Sequence, residues 1–157
     1  GTDVGPLATA AMRDEVDQQV KASLANGARR LTGAEIVAGP GYYYRPGILA
    51  DIPESAPVYG EEVFGPVALL FEARDLGDAI RIANDTPFGL GSAIWTREDA
   101  DVARAVDELD AGATFVNAIV ASDPRLPFGG VKGSGYGREL ALDGLRAFVN
   151  RKTISVA

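Results

Sequence analysis

Two periods of apolar residues alternate along the chain, and the switches between them mark the elements. Between Ala8 and Asn26 the residues Ala11, Met12, Val16, Val20 and Leu24 recur about every four positions among charged neighbours, which predicts an amphipathic helix stopped by Gly27. "ARRLTGAEIVAGPGYYYRPGILADI" then breaks into short apolar pieces between glycines and prolines, the pattern of short strands and turns. "GPVALLFEA" is nearly continuous in apolar residues, which predicts a strand covered on both faces. In "DLGDAIRIAN" Leu76, Ala79, Ile80 and Ala83 share a helical face, with Asp75 as N-cap. "GLGSAIWT" reads as the next strand. "REDADVARAVDELDAG" reads as a helix carrying Val102, Ala105, Val106 and Leu109 on one face, and "ATFVNAIV" as a third strand. The order strand, helix, strand, helix, strand predicts parallel crossovers, hence an α/β protein with an open, mainly parallel sheet and flanking helices.

After that third strand the character changes. "ASDPRLPFGGVKGSGYGRE" holds two prolines and five glycines in nineteen residues. Loops at the carboxyl ends of parallel strands are where such proteins place ligands, so this loop is the expected functional surface. Neither G-x-G-x-x-G nor G-x-x-x-x-G-K-[ST] occurs in the chain, so a self-contained dinucleotide or P-loop fingerprint is unsupported.

Composition narrows the chemistry. The 157 residues, 46% hydrophobic and 24% charged, suffice for one globular domain or a large part of one. No apolar run reaches the roughly 18 to 20 residues of a membrane span, and the first residues lack a signal-peptide pattern. No membrane association is therefore expected. The only methionine is Met12, and a fragment of a longer protein is one reading of that start. With no cysteine and no histidine, disulfides, thiolate chemistry, the commonest general base and the commonest metal ligands are all absent from the chain. The lack of cysteine fits a reducing cytoplasm, the expected compartment. Net charge is −7, but residues 124–157 hold six basic and two acidic residues, leaving nine basic and twenty acidic before them. An acidic body with a small basic end argues against a nucleic-acid partner and leaves room for a small anion.

Five positions carry candidate chemistry, each with a plainer alternative. Glu62 either accepts hydrogen bonds from sugar hydroxyls or is a turn residue facing water. Phe64 either stacks on a planar ligand or fills a core. Ser122, Asp123 and Arg125 either fix an anionic substrate or stand at an "SDP" turn that needs Ser and Asp for local hydrogen bonds. "NDT" at 84–86 matches a glycosylation sequon, with nothing else pointing to secretion.

"YGEEVFGPVALLFEA", "ANDTPFGLGSAIWTRE", "GATFVN" and "PFGGVKGSGYGREL", in this order, resemble the carboxyl-terminal third of an NAD(P)-dependent aldehyde dehydrogenase over essentially the whole chain. "SDPRLPFGGVKGSGYGREL" further resembles the succinate-semialdehyde branch. The resemblance implies that Glu62 binds the nicotinamide-side ribose of NAD or NADP, that Phe64 packs near the nicotinamide ring, and that Phe128 lines the substrate tunnel. It implies that Ser122 contacts the distal carboxylate of a small aldehyde substrate, with Arg125 as a further candidate because a guanidinium can hold a carboxylate with two bonds. The family's chemistry uses a cysteine thiolate, so the chain by itself is expected to be catalytically incomplete. Residues 1–148 are then part of the catalytic domain. Residues 149–157 are a terminal strand expected to join an intersubunit sheet in a homo-oligomer. The rival reading is a stand-alone, non-catalytic binding or assembly module derived from that family.

Overall fold

The structure, a computed structural model, describes residues 3–157. It divides into two compact units, Gly1–Arg74 and Asp75–Ala157, each taken by itself below.

The first unit is built on helix α1, Ala10–Ala25. Its start follows from Thr9, whose hydroxyl accepts the Met12 N–H at 3.2 Å, and Asn26 closes the other end by donating its side-chain amide to the Ala22 carbonyl at 2.9 Å. Gly27 follows in the left-handed region at φ 108°, as its stop position requires. Val16 and Val20 are fully buried and meet Ala34, Tyr44, Leu49 and Val58 in the core. At about 1.5–3 kcal/mol per buried aliphatic side chain, this seam holds the helix down. Strands β1 (Arg29–Thr32), β4 (Gly47–Ala50) and β5 (Val67–Leu69) form one sheet in the order β1-β4-β5, with β1 antiparallel and β5 parallel to β4. Strands β2 (Glu35–Ile36) and β3 (Tyr44–Arg45) make a separate antiparallel pair. The short helix α2, Pro57–Gly60, is fastened to α1 because the buried Ser23 hydroxyl accepts the Val58 N–H at 3.2 Å.

The second unit carries α3 (Leu76–Asn84), β6 (Phe88–Gly89), β7 (Ser92–Ile94), α4 (Asp99–Glu108), β8 (Thr114–Val116), β9 (Val131–Lys132) and α5 (Ala141–Arg146). Asp75 caps α3 by accepting the Asp78 N–H at 2.9 Å, as its position before an apolar helical face predicts. Strands β7 and β8 pair in parallel, Ser92 opposite Thr114 through Ile94 opposite Val116, with α4 as the connection between them. Strands β6 and β9 pair antiparallel. Only Ile80 and Ala105 are buried apolar residues here among those described.

The expected mixed α/β character is observed, with three differences from the sequence expectation. The described strands form four small sheets rather than one open sheet, and the parallel pairs within them are β4–β5 and β7–β8. The apolar run after Gly65 yields only three strand residues, with Ala68 exposed and Leu70 56% exposed, so it is not covered on both faces in this chain. The expected terminal strand is absent: residues 150–157 carry no secondary structure, and Ile154 and Val156 are 78% and 90% exposed. A strand is defined by the partner that takes its backbone hydrogen bonds, and this segment has none among the described residues. No helix among the described residues is long and apolar enough to cross a membrane.

Candidate functional site

Residues 61–66 lie between α2 and β5, and the contacts around them explain why two glutamates stand there. Gln19 of α1 donates its side-chain amide to the Glu61 carboxylate at 3.0 Å and to the Glu62 carbonyl at 3.3 Å. Glu61 is therefore a tether. The Glu62 carboxylate is exposed and receives no hydrogen bond or ion pair among the described residues. Gly65 then passes so close to α1 that an added Cβ would stand 2.8 Å from Val16 Cγ2, which makes glycine the residue that fits. The Gly47 N–H donates to the Pro66 carbonyl at 3.0 Å, fixing the entry into β5.

This bracing leaves the Phe64 ring 66% exposed beside Glu62. Both line an open groove of about 480 Å³ with Val4, Leu7, Val63 and Pro66. A free carboxylate with two acceptor oxygens, next to an exposed aromatic face on an apolar wall, suits a ligand with paired hydroxyls and a planar ring. The Phe64 ring takes no part in the buried core of this unit.

The glycine-rich loop of the second unit folds largely on itself. The Phe128 and Glu139 backbones exchange hydrogen bonds at 2.9 and 2.8 Å, and the Arg138 guanidinium donates to the Gly130 and Gly137 carbonyls at 2.8 and 2.7 Å. The Ser134 hydroxyl accepts the Gly89 N–H at 2.9 Å, and a Cβ at Gly112 would overlap the backbone of Gly129. These glycines serve close backbone approach.

Phe128 is half-buried and lines a cavity of about 400 Å³ along β8 with Thr114, Phe115, Asp123, Leu126 and Pro127. Ser122 and Arg125 are exposed and outside that lining. Arg125 is also not free. Its Nε donates to Asp123 Oδ1 at 2.9 Å and Oδ2 at 3.2 Å, its Nη2 to Oδ2 at 2.6 Å, and its backbone N–H to Oδ1 at 2.9 Å. These bonds to the side chain and backbone of Arg125 hold the Asp123 carboxyl below its ordinary range, and the Asp123 carboxylate raises the Arg125 guanidinium. The local-turn alternative for this segment is thus the one realised at Asp123.

Sequence reasoning missed Gln19. Gln19 gives no signal beyond its place beside the buried helix face, whereas Asp123 was visible in the "SDP" turn. It also missed the role of Asn84, whose amide donates to the Glu108 carbonyl at 2.7 Å and accepts the Asp110 N–H at 2.8 Å. That nitrogen ties together the carboxyl ends of α3 and α4, which accounts for the residue without glycosylation. Lys132 completes the corner, donating to the Asn84 carbonyl at 2.9 Å and pairing with Asp110 at 3.0 Å.

Comparison with known proteins finds relatives that match nearly the whole chain. The NADP(+) succinate-semialdehyde dehydrogenase 1 of Mycobacterium ulcerans is 51% identical over 155 residues, which is 99% of this chain and 34% of that protein. A crystal structure of succinic semialdehyde dehydrogenase from Streptococcus pyogenes, in complex with NADP+, superposes with a TM-score of 0.93 at 36% identity, over 99% of this chain and 34% of that one. Betaine aldehyde dehydrogenase from Staphylococcus aureus, in complex with NAD+, gives a TM-score of 0.87 at 28% identity, over 94% of this chain and 30% of that one. The chain spans about a third of the length of the curated relatives it matches. The model of the aldehyde dehydrogenase family matches residues 1–154, and the chain belongs to that family.

Proposed function

We propose that this chain is the carboxyl-terminal part of the catalytic domain of an NAD(P)-dependent aldehyde dehydrogenase that oxidises succinate semialdehyde to the dicarboxylate. The observation that carries the reading is the division of labour at residues 61 and 62, where Glu61 is held by Gln19 and the Glu62 carboxylate stands free beside the exposed Phe64 ring. A ribose presents two adjacent hydroxyls to such a carboxylate, and a nicotinamide presents a flat face to such a ring. The groove thus fits NAD or NADP, which supplies the hydride acceptor when bound. The similar structures described above include one in complex with NADP+ and one in complex with NAD+.

In this reading Glu62 orients the nicotinamide-side ribose and Phe64 packs against the ring. Phe128 lines the substrate tunnel and Ser122 contacts the distal carboxylate of the substrate. The chain holds no cysteine, so the thiolate that attacks the aldehyde in this family's chemistry comes from residues outside it, and the chain alone is inactive. The small parallel pairs become parts of an open, mainly parallel sheet in the parent protein, of which residues 1–148 form the distal catalytic portion. Residues 149–157 take up a strand by pairing with a second copy in a cytoplasmic homo-oligomer, which would cover Ile154 and Val156.

The test is steady-state turnover of the full-length protein carrying this segment, following NAD(P)H formation with succinate semialdehyde and with neutral aldehydes. A higher kcat/KM for succinate semialdehyde supports the reading. No aldehyde oxidation by that protein, or thiol-dependent turnover by the 157-residue chain alone, overturns it.

A further inference from the structure

β8 ends at Val116, and the chain turns there on Asn117, whose backbone lies in the left-handed region at φ 51°. Asparagine tolerates that conformation better than most residues other than glycine. Three hydrogen bonds tie it to the end of β7 and just beyond. The Asn117 N–H donates to the Ile94 carbonyl at 2.7 Å, its side-chain oxygen accepts the Thr96 N–H at 3.0 Å, and its side-chain amide donates to the Thr96 carbonyl at 2.9 Å. The side chain thus carries on the pairing of β7 with β8 after the β8 backbone has left it. Thr96 is a firm post, because its hydroxyl donates to Asp101 Oδ2 in α4 at 3.2 Å and accepts the Glu98 N–H at 3.1 Å.

Beyond Asn117 the segment 118–122 is held at few points. None of its backbone N–H or carbonyl groups is hydrogen-bonded among the described residues, and Val120 packs over Gly91, where an added Cβ would stand 2.8 Å from Val120 Cγ1. The next bonded residue is Asp123, in its turn with Arg125. Yet Ala118 and Ala121 line the same cavity as Phe128, and Ser122 follows them. A segment with so few bonds of its own takes its direction from its ends.

We infer that Asn117 is a positioning residue: its side-chain pairing with Thr96 sets the course along which residues 118–122 pass the substrate cavity. This deepens the functional reading above and rests on it for the statement that an aldehyde enters that cavity. Asn117 itself lies outside the cavity lining and acts through Ala118, Ala121 and Ser122.

Asn117→Gly removes both side-chain bonds and keeps the left-handed backbone available, so the chain can still turn there. Asn117→Asp keeps the acceptor for the Thr96 N–H and loses the donor to the Thr96 carbonyl. Asn84→Ala cuts the tie between the ends of α3 and α4 in the same unit, and so weakens the fold away from this segment. The experiment uses the full-length wild type and these three variants. It measures kcat/KM for whichever aldehyde the wild type prefers, KM for NAD(P), and the melting temperature. Asn117→Gly is expected to lower the aldehyde kcat/KM about three- to tenfold with KM for NAD(P) unchanged, Asn117→Asp to lower it less, and Asn84→Ala to lower the melting temperature alone. An unchanged aldehyde kcat/KM in Asn117→Gly overturns the inference. So does an equal fall in Asn84→Ala, or a matching rise in KM for NAD(P), since either would make general loss of structure the cause. If the wild type prefers an aldehyde other than succinate semialdehyde, the functional reading fails while Asn117→Gly still decides the inference. No aldehyde oxidation at all would sink both.

Discussion

The Gln19 side-chain amide donates to the Glu61 carboxylate at 3.0 Å, across a sequence separation of 42 residues. One adjacent acid is spent on holding the segment to α1, and the next is left with its acceptors free. Glu62→Gln in the full-length protein is therefore expected to raise KM for NAD(P) about tenfold, the loss of one charge-assisted hydrogen bond, with little change in thermal stability. Gln19→Ala should raise it less. Cofactor titrations of both variants, beside their melting curves, check this, and an unchanged KM in Glu62→Gln would remove Glu62 from the site.

Gly65 tests the packing that aims these residues. Its substitution by alanine puts a methyl 2.8 Å from Val16 Cγ2, and overpacking of that kind costs about 1–3 kcal/mol. Urea unfolding should show the loss for Gly65→Ala. Combining it with Val16→Ala should give less than the sum of the two single losses, because the smaller residue vacates the clash.

Asn84→Ala removes both hydrogen bonds that join the ends of α3 and α4, to the Glu108 carbonyl and from the Asp110 N–H. The expected loss is about 1–3 kcal/mol, since a carbonyl and an N–H lose their partner together. Asn84→Asp keeps the acceptor and loses the donor, so it should fall between the two. Denaturation midpoints of the three proteins decide the order.

Tyr44 makes the first unit sensitive to alkali. Burial, followed by the Asp17 charge, pushes its hydroxyl up from 10.0 to about 12. Its proton is held more tightly in the folded protein than in the unfolded chain, so stability is fully present below pH 10 and falls as pH rises from 10 toward 12. Tyr44→Phe should flatten that part of the pH profile. Melting temperatures across that range test it, and an identical slope in the variant would show that other groups are responsible.

The helices were legible because their signals are local. The spacing of Val16 and Val20 placed the buried face of α1, Asp75 before an apolar face marked the cap of α3, and Gly27 marked a stop. The motif order in "YGEEVFGPVALLFEA" and "PFGGVKGSGYGREL" likewise sufficed for the family. Strands were less legible, because a strand needs a partner that its own residues do not name. The apolar run after Gly65 kept only Val67–Leu69, β6 and β9 went unanticipated, and residues 150–157 took no strand at all.

At the candidate site the sequence alone determined which residue types were present: adjacent carboxylates, an aromatic ring, an arginine beside an aspartate, and no thiol. Only the tertiary structure decided which of them are free. Glu61 and Glu62 are chemically identical, yet Gln19 reaches the Glu61 side chain and leaves the other open, while Asp123 occupies Arg125. Whether a polar group is available depends on distances of about 3 Å to its neighbours, and contacts at that range between residues remote in the chain are set by how the elements pack, not by their spacing in sequence.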